Sequence, residues 1–174
     1  MSPYKTRLPV VFLKPAEVCF TEEQALVMTV LGSCISVTMF NRRLPFAGMC
    51  HVLMPNCRHD EACRGYCHEA FRYTDCAIKQ MAEKFESLGI KRNEIVLKVF
   101  GGADIMAGHD KGRRTLSVGR QNIDSARKTL LNERLRVSAS HVGGAFGRKV
   151  LFFTQTGEVL MKRIKRSELP REEL

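Results

Sequence analysis

Val30-Leu31-Gly32-Ser33-Cys34-Ile35-Ser36-Val37 is an apolar run with no helical periodicity, and so is Gly48-Met49-Cys50-His51-Val52-Leu53-Met54-Pro55. Both read as short β-strands rich in Val, Ile and Met. Between them Asn41-Arg42-Arg43-Leu44-Pro45 can turn the chain. The reading is therefore two strands, over 26–40 and 45–54, lying antiparallel. It brings the Cys34 thiol toward the His51 imidazole, 17 residues on. An imidazole that takes the proton of a thiol makes a thiolate nucleophile for carbonyl carbon. Gly32 lets backbone approach a substrate with no Cβ in the way. A Cys in an apolar strand ordinarily serves packing, so the pair alone does not establish a catalytic site. Cys50, next to His51, points to the opposite face by alternation and reads as core, as do Cys19 and Cys76.

The flanking sequence sets these strands in an α+β frame. Pro9 to Leu13 is strand-like, and a polar link follows it. Ala70, Tyr73, Ala77, Met81, Phe85 and Leu88 recur at helical spacing, and Gly89 can close that helix. Ile95 to Phe100 reads as a strand. Asn122 is placed as the N-cap of a second helix with Ile123, Ala126, Leu130 and Leu131 facing inward. Arg136 to Val142 is a further strand, and Lys149–Thr154 with Glu158–Ile164 forms a hairpin around Gln155-Thr156-Gly157. Strands outnumber helices and no repeat or linker divides residues 1–174. The expected fold is a single layered α/β (α+β-like) domain with helices packed on mainly antiparallel β-sheets.

Composition narrows the function classes. The 174 residues suffice for one core, and 44% apolar content argues against disorder and against a membrane protein. The longest uncharged stretch, Gln24 to Asn41, is broken by polar residues and reads as buried strand and turn rather than a membrane span. The apolar run at Pro9–Leu13 is too short for a signal peptide, which points to the cytoplasm. Seven cysteines, an odd number, fit free thiols in a reducing compartment. The net charge of +10 comes from basic residues spread along the chain, clustering at 111–114 and 162–166. No aromatic–basic interleaving or helix-turn-helix pattern accompanies them. An acidic protein partner therefore ranks above nucleic acid.

Two further features carry chemistry. Gly101-Gly102-Ala103-Asp104 and Gly143-Gly144-Ala145-Phe146-Gly147-Arg148 each follow a strand; each can be a tight turn or can line a site and offer amides to an oxyanion. Neither is a phosphate loop. Residues 56–69 hold Cys57, Cys63 and Cys67 with His59, Asp60 and His68. These are zinc- or iron–sulfur-type donors, but the spacing lacks paired Cys-x2-Cys knuckles. A variable loop is the alternative, and no metal or cofactor is assigned.

Taken in order, Leu31-Gly32-Ser33-Cys34-Ile35-Ser36-Val37, His51-Val52-Leu53-Met54-Pro55, Lys98-Val99-Phe100-Gly101-Gly102-Ala103, Val118-Gly119 with Asn122, Gly143-Gly144-Ala145-Phe146-Gly147-Arg148-Lys149-Val150, and Thr156-Gly157-Glu158-Val159 resemble the CheD family of chemoreceptor glutamine deamidases. The matches span about 26–163. The resemblance implies a single layered domain similar to the deamidating toxins. It also implies hydrolysis of selected Gln side chains to Glu on methyl-accepting chemotaxis receptors, with Cys34 as nucleophile, His51 as base and no cofactor. Many members also bind the phosphatase CheC. Gly32 and Ser33 would line the oxyanion site. The family's third catalytic residue is a Thr, commonly six before the Cys; here Met28 holds that place and Thr29 stands five before. A one-residue shift reverses the face of a strand unless a bulge restores it, and Thr29 is carried as the third residue. Beside the deamidase, with esterase activity toward receptor methyl esters as a possible extension, stand two alternatives. One is a catalytically weak adaptor that binds receptor or CheC. The other is a thiol or metal sensor built on the loop from Cys57 to Cys67.

Overall fold

The computed structural model describes residues 8–57, 69–105 and 116–169. Among the described residues nine strands form two sheets. β1 (Val10–Phe12), β3 (Leu26–Leu31), β8 (Gly147–Phe153) and β9 (Glu158–Ile164) make a four-stranded sheet in the order β1-β3-β8-β9. β2 (Val18–Thr21), β4 (Ile35–Asn41), β5 (Phe46–Cys50), β6 (Val96–Gly101) and β7 (Val137–Val142) make a five-stranded sheet in the order β2-β5-β4-β6-β7. All pairings are antiparallel except β1 with β3 and β6 with β7.

Two cores separate three layers. Ile35, Val37, Met39, Cys50 and Val52 turn one face of the larger sheet toward the helices α1 (Thr74–Ser87) and α2 (Val118–Asn132), where Ala77, Ile78, Met81, Phe85, Ile123, Ala126 and Leu130 are buried. Alternation sends Cys34, Phe40, Ala47 and Met49 to the other face, against Val27, Leu31, Val150 and Phe152 of the smaller sheet. The order is helices, sheet, sheet, the expected α/β architecture with mainly antiparallel pairing. Burying the Phe85 ring alone is worth about 3–5 kcal/mol by the cost of its truncation.

Local chemistry explains the element ends. α1 closes as the glycine predicts: Gly89 takes φ 76, its N–H bonds Glu86 O at 2.9 Å, and Ile90 N–H reaches Phe85 O at 3.2 Å. Asn41 Oδ1 accepts from Leu44 N–H at 2.7 Å and so shapes the β4–β5 turn. The β8–β9 hairpin closes through Gly157, whose φ is 71.

Four expectations are corrected. The run over 26–40 is not one strand: it breaks at Gly32-Ser33-Cys34, and its halves join different sheets. The polar link contains β2, a strand that lacks alternation because both its faces are half-buried. α2 starts four residues before Asn122 with Ser117 as its cap, the Ser117 hydroxyl accepting from Arg120 N–H at 3.3 Å. Leu131 is 78% exposed, because the inward stripe of α2 runs through Ile123, Ala126 and Leu130. Among the described residues no helix is long and apolar enough to cross a membrane.

Candidate active site

The break at Gly32–Cys34 is where the chain crosses from the smaller sheet to the larger, and this crossing builds the site. Ile35 pairs with Val52 through Ile35 N–H to Val52 O at 3.0 Å and Val52 N–H to Ile35 O at 2.8 Å. Continuing that register sets Ser36 opposite His51 and Cys34 opposite Leu53. Cys34 and His51 are thus diagonal neighbours on the inner face of one sheet, the arrangement in which long side chains meet. Cys34 is 6% exposed and His51 1%.

Thr29 completes the constellation from the other sheet. It lies on the buried face of β3 with Val27 and Leu31. Its Oγ1 donates to Leu13 O at 2.8 Å and lies 2.8 Å from His51 Nδ1. Met28 points the other way. β3 pairs with β8 in unbroken register from Leu26 to Leu31, so no bulge within β3 turns Thr29 inward, and the chain changes sheets only after Leu31. The segment after β1 holds His51 from behind: Ala16 N–H bonds His51 O at 2.8 Å and His51 N–H bonds Glu17 O at 2.9 Å.

The carbonyls of all three crossing residues are anchored. Ala103 N–H bonds Gly32 O at 2.9 Å, and Gly102 N–H bonds Cys34 O at 2.7 Å. Asn122 Nδ2 donates to Ser33 O at 3.0 Å and to Leu53 O at 2.9 Å, tying the crossing to the segment after His51. Asn122 is therefore a buried clamp rather than a helix cap. Sequence reasoning missed this role because Asn is common at caps, although the residue already belonged to the matched motif. Asn122 Oδ1 and the Ser36 hydroxyl are buried with no hydrogen-bond partner among the described residues. Orphaned polar groups of this kind call for a specific explanation, and here both border the Cys34 crossing.

The glycine clusters allow this close approach. Gly101 has φ 111, and a Cβ there would stand 2.1 Å from Cys34 O. Gly102 has φ 64, and its Cβ would meet Ile123 at 2.5 Å. The amides of Gly102, Ala103, Asp104 and Gly143 are all bonded to backbone carbonyls. Gly102 and Ala103 hold the crossing, Asp104 and Gly143 tie the two glycine clusters together, and none of the four points its donor at a substrate.

The remaining thiols divide. Cys50 is fully buried in the helix-side core, and burial pushes its thiol up to about 12. Burial also raises the Cys19 thiol. Cys57 is buried, and its N–H donates to the Asp75 carboxylate at 3.1 Å. Cys63, Cys67, His59, Asp60 and His68 lie outside the described residues. Among the described residues no group of three or more His, Cys, Asp or Glu side chains is arranged to hold a metal ion.

Fold and site together define a layered α/β protein in which a Cys and a His share one sheet and a Thr reaches the His from the other. The family model for CheD, described as chemotactic sensory transduction, matches residues 54–163. The "Probable chemoreceptor glutamine deamidase CheD 2" of Geobacter sulfurreducens is 44% identical over 97% of this chain and 98% of its own length. Proteins named "Probable chemoreceptor glutamine deamidase CheD" from Oleidesulfovibrio alaskensis and Maridesulfovibrio salexigens are 40% and 31% identical. They align with 89% and 90% of this chain and with 73% and 92% of their own lengths. This chain belongs to the CheD family. Among solved structures, the Bacillus licheniformis hypothetical protein YfiH aligns with a TM-score of 0.48 and 8% identity, over 74% of this chain and 51% of that one.

Proposed function

We propose that this protein is a chemoreceptor glutamine deamidase, a protein-glutamine glutaminase whose nucleophile is Cys34. The observation that carries the reading is the Thr29–His51 contact, which sets the imidazole for base chemistry on the face it shares with Cys34. The Thr29 hydroxyl has one proton, and that proton goes to Leu13 O. Its oxygen therefore accepts from His51 Nδ1–H, which makes Nε2 the basic nitrogen of the ring.

The steps follow from that tautomer. His51 Nε2 takes the thiol proton, and the Cys34 sulfur adds to the carbonyl carbon of a receptor Gln side chain. Amides of the Gly32–Cys34 crossing, Gly32 and Ser33 included, stabilise the oxyanion. The imidazolium then protonates the leaving nitrogen, ammonia departs, and a thioester remains. Water, deprotonated by His51, hydrolyses the thioester to Glu and restores the thiol. No metal or cofactor enters these steps. Met54, next to Leu53, and Val118, one helical turn ahead of Asn122, are apolar and exposed beside the crossing, and they offer a rim for the substrate. CheC would compete for that rim.

The adaptor alternative drew its weight from Met28 at the family's usual Thr position, and the Thr29 hydroxyl beside His51 weighs against it. The test is peptide mass spectrometry of a receptor cytoplasmic fragment incubated with wild type, Cys34→Ala and His51→Ala. Conversion of defined Gln residues to Glu by wild type alone is expected. Receptor binding without conversion by wild type would return the adaptor reading. The charge of +10 also predicts that affinity for the fragment falls as salt rises; affinity flat with salt would contradict that.

A further inference from the structure

At the seam where β7 and β9, the free edges of the two sheets, come together, His141 lies between two arginines. Arg148 and Arg163 are direct cross-strand partners on β8 and β9, an arrangement of like charges that is unfavourable by itself. Arg148 is 2% exposed, and its guanidinium donates to His141 Nδ1 at 2.8 Å, Phe146 O at 3.1 Å and Gly143 O. None of these acceptors is an anion. None of the ion pairs among the described residues involves Arg148, Arg163 or His141. A buried charge with no counter-ion is costly.

The donor count shows what is missing. Because Nδ1 accepts from Arg148, a neutral His141 carries its proton on Nε2. Yet Nε2 faces Arg163 Nη2 at 3.1 Å, so a ring N–H meets a guanidinium N–H. Burial, then the charges of Arg148 and Arg163, hold the His141 pKa below the usual histidine value, which keeps the ring in this neutral form. Two donors converge at the exposed side of the seam, and among the described residues no acceptor lies between them. A carboxylate has two oxygens, one for each donor.

We propose that His141 and Arg163, backed by Arg148, form a binding site for an acidic side chain of the protein substrate. The inference rests on the deamidase reading for the identity of that partner. The site is joined to the reaction centre: Gly143, held by Arg148, donates its N–H to Gly101 O, and neighbouring Gly102 holds Cys34 O. His141 pairs with Phe100, and Phe100 pairs with Ser36, which is two residues from Cys34. Two strand spacings separate β4 from β7, and two residues along β4 separate Ser36 from Cys34, so the site lies roughly 12 Å from the nucleophile. On a helical substrate that is a little over two turns, so an Asp or Glu about seven or eight residues from the target Gln is the expected ligand.

The test uses the full chain and a receptor cytoplasmic fragment. Arg163→Glu reverses an exposed charge at the seam. Lys162→Glu makes the same change in net charge one residue away, on the other face of β9. With Arg163→Glu, KM for deamidation should rise about tenfold with kcat unchanged, and Lys162→Glu should move KM far less. A Lys replacing the receptor acid should recover activity with Arg163→Glu. Unchanged KM, or equal effects of the two charge reversals, overturns the site. A second arm follows the His141 ring nitrogens by NMR in Cys34→Ala protein. The fragment should perturb Nε2–H, and the fragment lacking its acid should not. Equal perturbation by acetate or inorganic phosphate overturns the substrate assignment. A fragment that perturbs His141 but is never deamidated by wild type sinks the deamidase reading and leaves the site standing.

Discussion

Thr29 and His51 belong to different sheets, and the threonine hydroxyl oxygen lies 2.8 Å from His51 Nδ1. That contact bridges the layers and fixes the tautomer, since the one hydroxyl proton is held by Leu13 O. Thr29→Val keeps the shape and removes the oxygen. Its kcat should fall about 100-fold with little change in KM, and Thr29→Ser should restore most of it. Initial rates of receptor deamidation decide; a Val variant as fast as wild type would mean that Thr29 does not orient the base.

Asn122 tests the crossing itself. Asn122→Ala removes both donors from the Ser33 and Leu53 carbonyls, at a cost of about 1–3 kcal/mol for each carbonyl left buried and unmet. Asn122→Asp sets a carboxylate against the same oxygens and should be worse. Urea denaturation gives the stability loss. A purely structural residue would lower the amount of folded protein and leave kcat per folded molecule intact, whereas a residue that positions Cys34 lowers that kcat as well.

Gly102 tests the close approach. Alanine there must hold a left-handed φ of 64, at about 1–2 kcal/mol, and push its Cβ into Ile123. The Gly102 N–H that holds Cys34 O would shift with it. Gly144 has a similar φ, 75, but open space at its Cβ position. Gly144→Ala should therefore carry only the backbone cost, and thermal unfolding of the two variants should rank them in that order.

The pH dependence of stability follows from His141. Its folded pKa is depressed by burial and by Arg148 and Arg163, while the unfolded ring titrates near the usual value of about 6.5. Between those two pKa values the unfolded chain binds the extra proton, so folding stability falls as pH drops below about 6.5. His141→Gln should flatten that part of the profile. Denaturant midpoints for both proteins at several pH values check it; parallel profiles would show that other groups set the slope.

Much of this architecture was legible in the chain. Alternation and glycine placement located β1, β6, the β8–β9 hairpin and the inward stripe of α1, because these elements bury one face in regular order. β2 was not legible, since Val18–Thr21 is half-buried on both faces and shows no alternation. The full extent of α2 was obscured by Asn122, whose carboxamide is as good at a cap as inside a helix where two carbonyls await it. The Arg148–His141–Arg163 seam was invisible, because its members come from three strands in two sheets.

The sequence by itself determined the family, the α/β class, and the Cys34 and His51 segments with their apolar runs and turn residues. Those are local patterns, and local steric and hydrophobic preferences are sufficient to express them. Only the tertiary structure decided that Thr29 rather than Met28 faces His51. The chain changes sheets at Gly32-Ser33-Cys34, so strand parity counted through the crossing carries no information about which side chain arrives inside. The partner of a side chain across two packed sheets is fixed by how the layers dock, and no spacing along one strand encodes that.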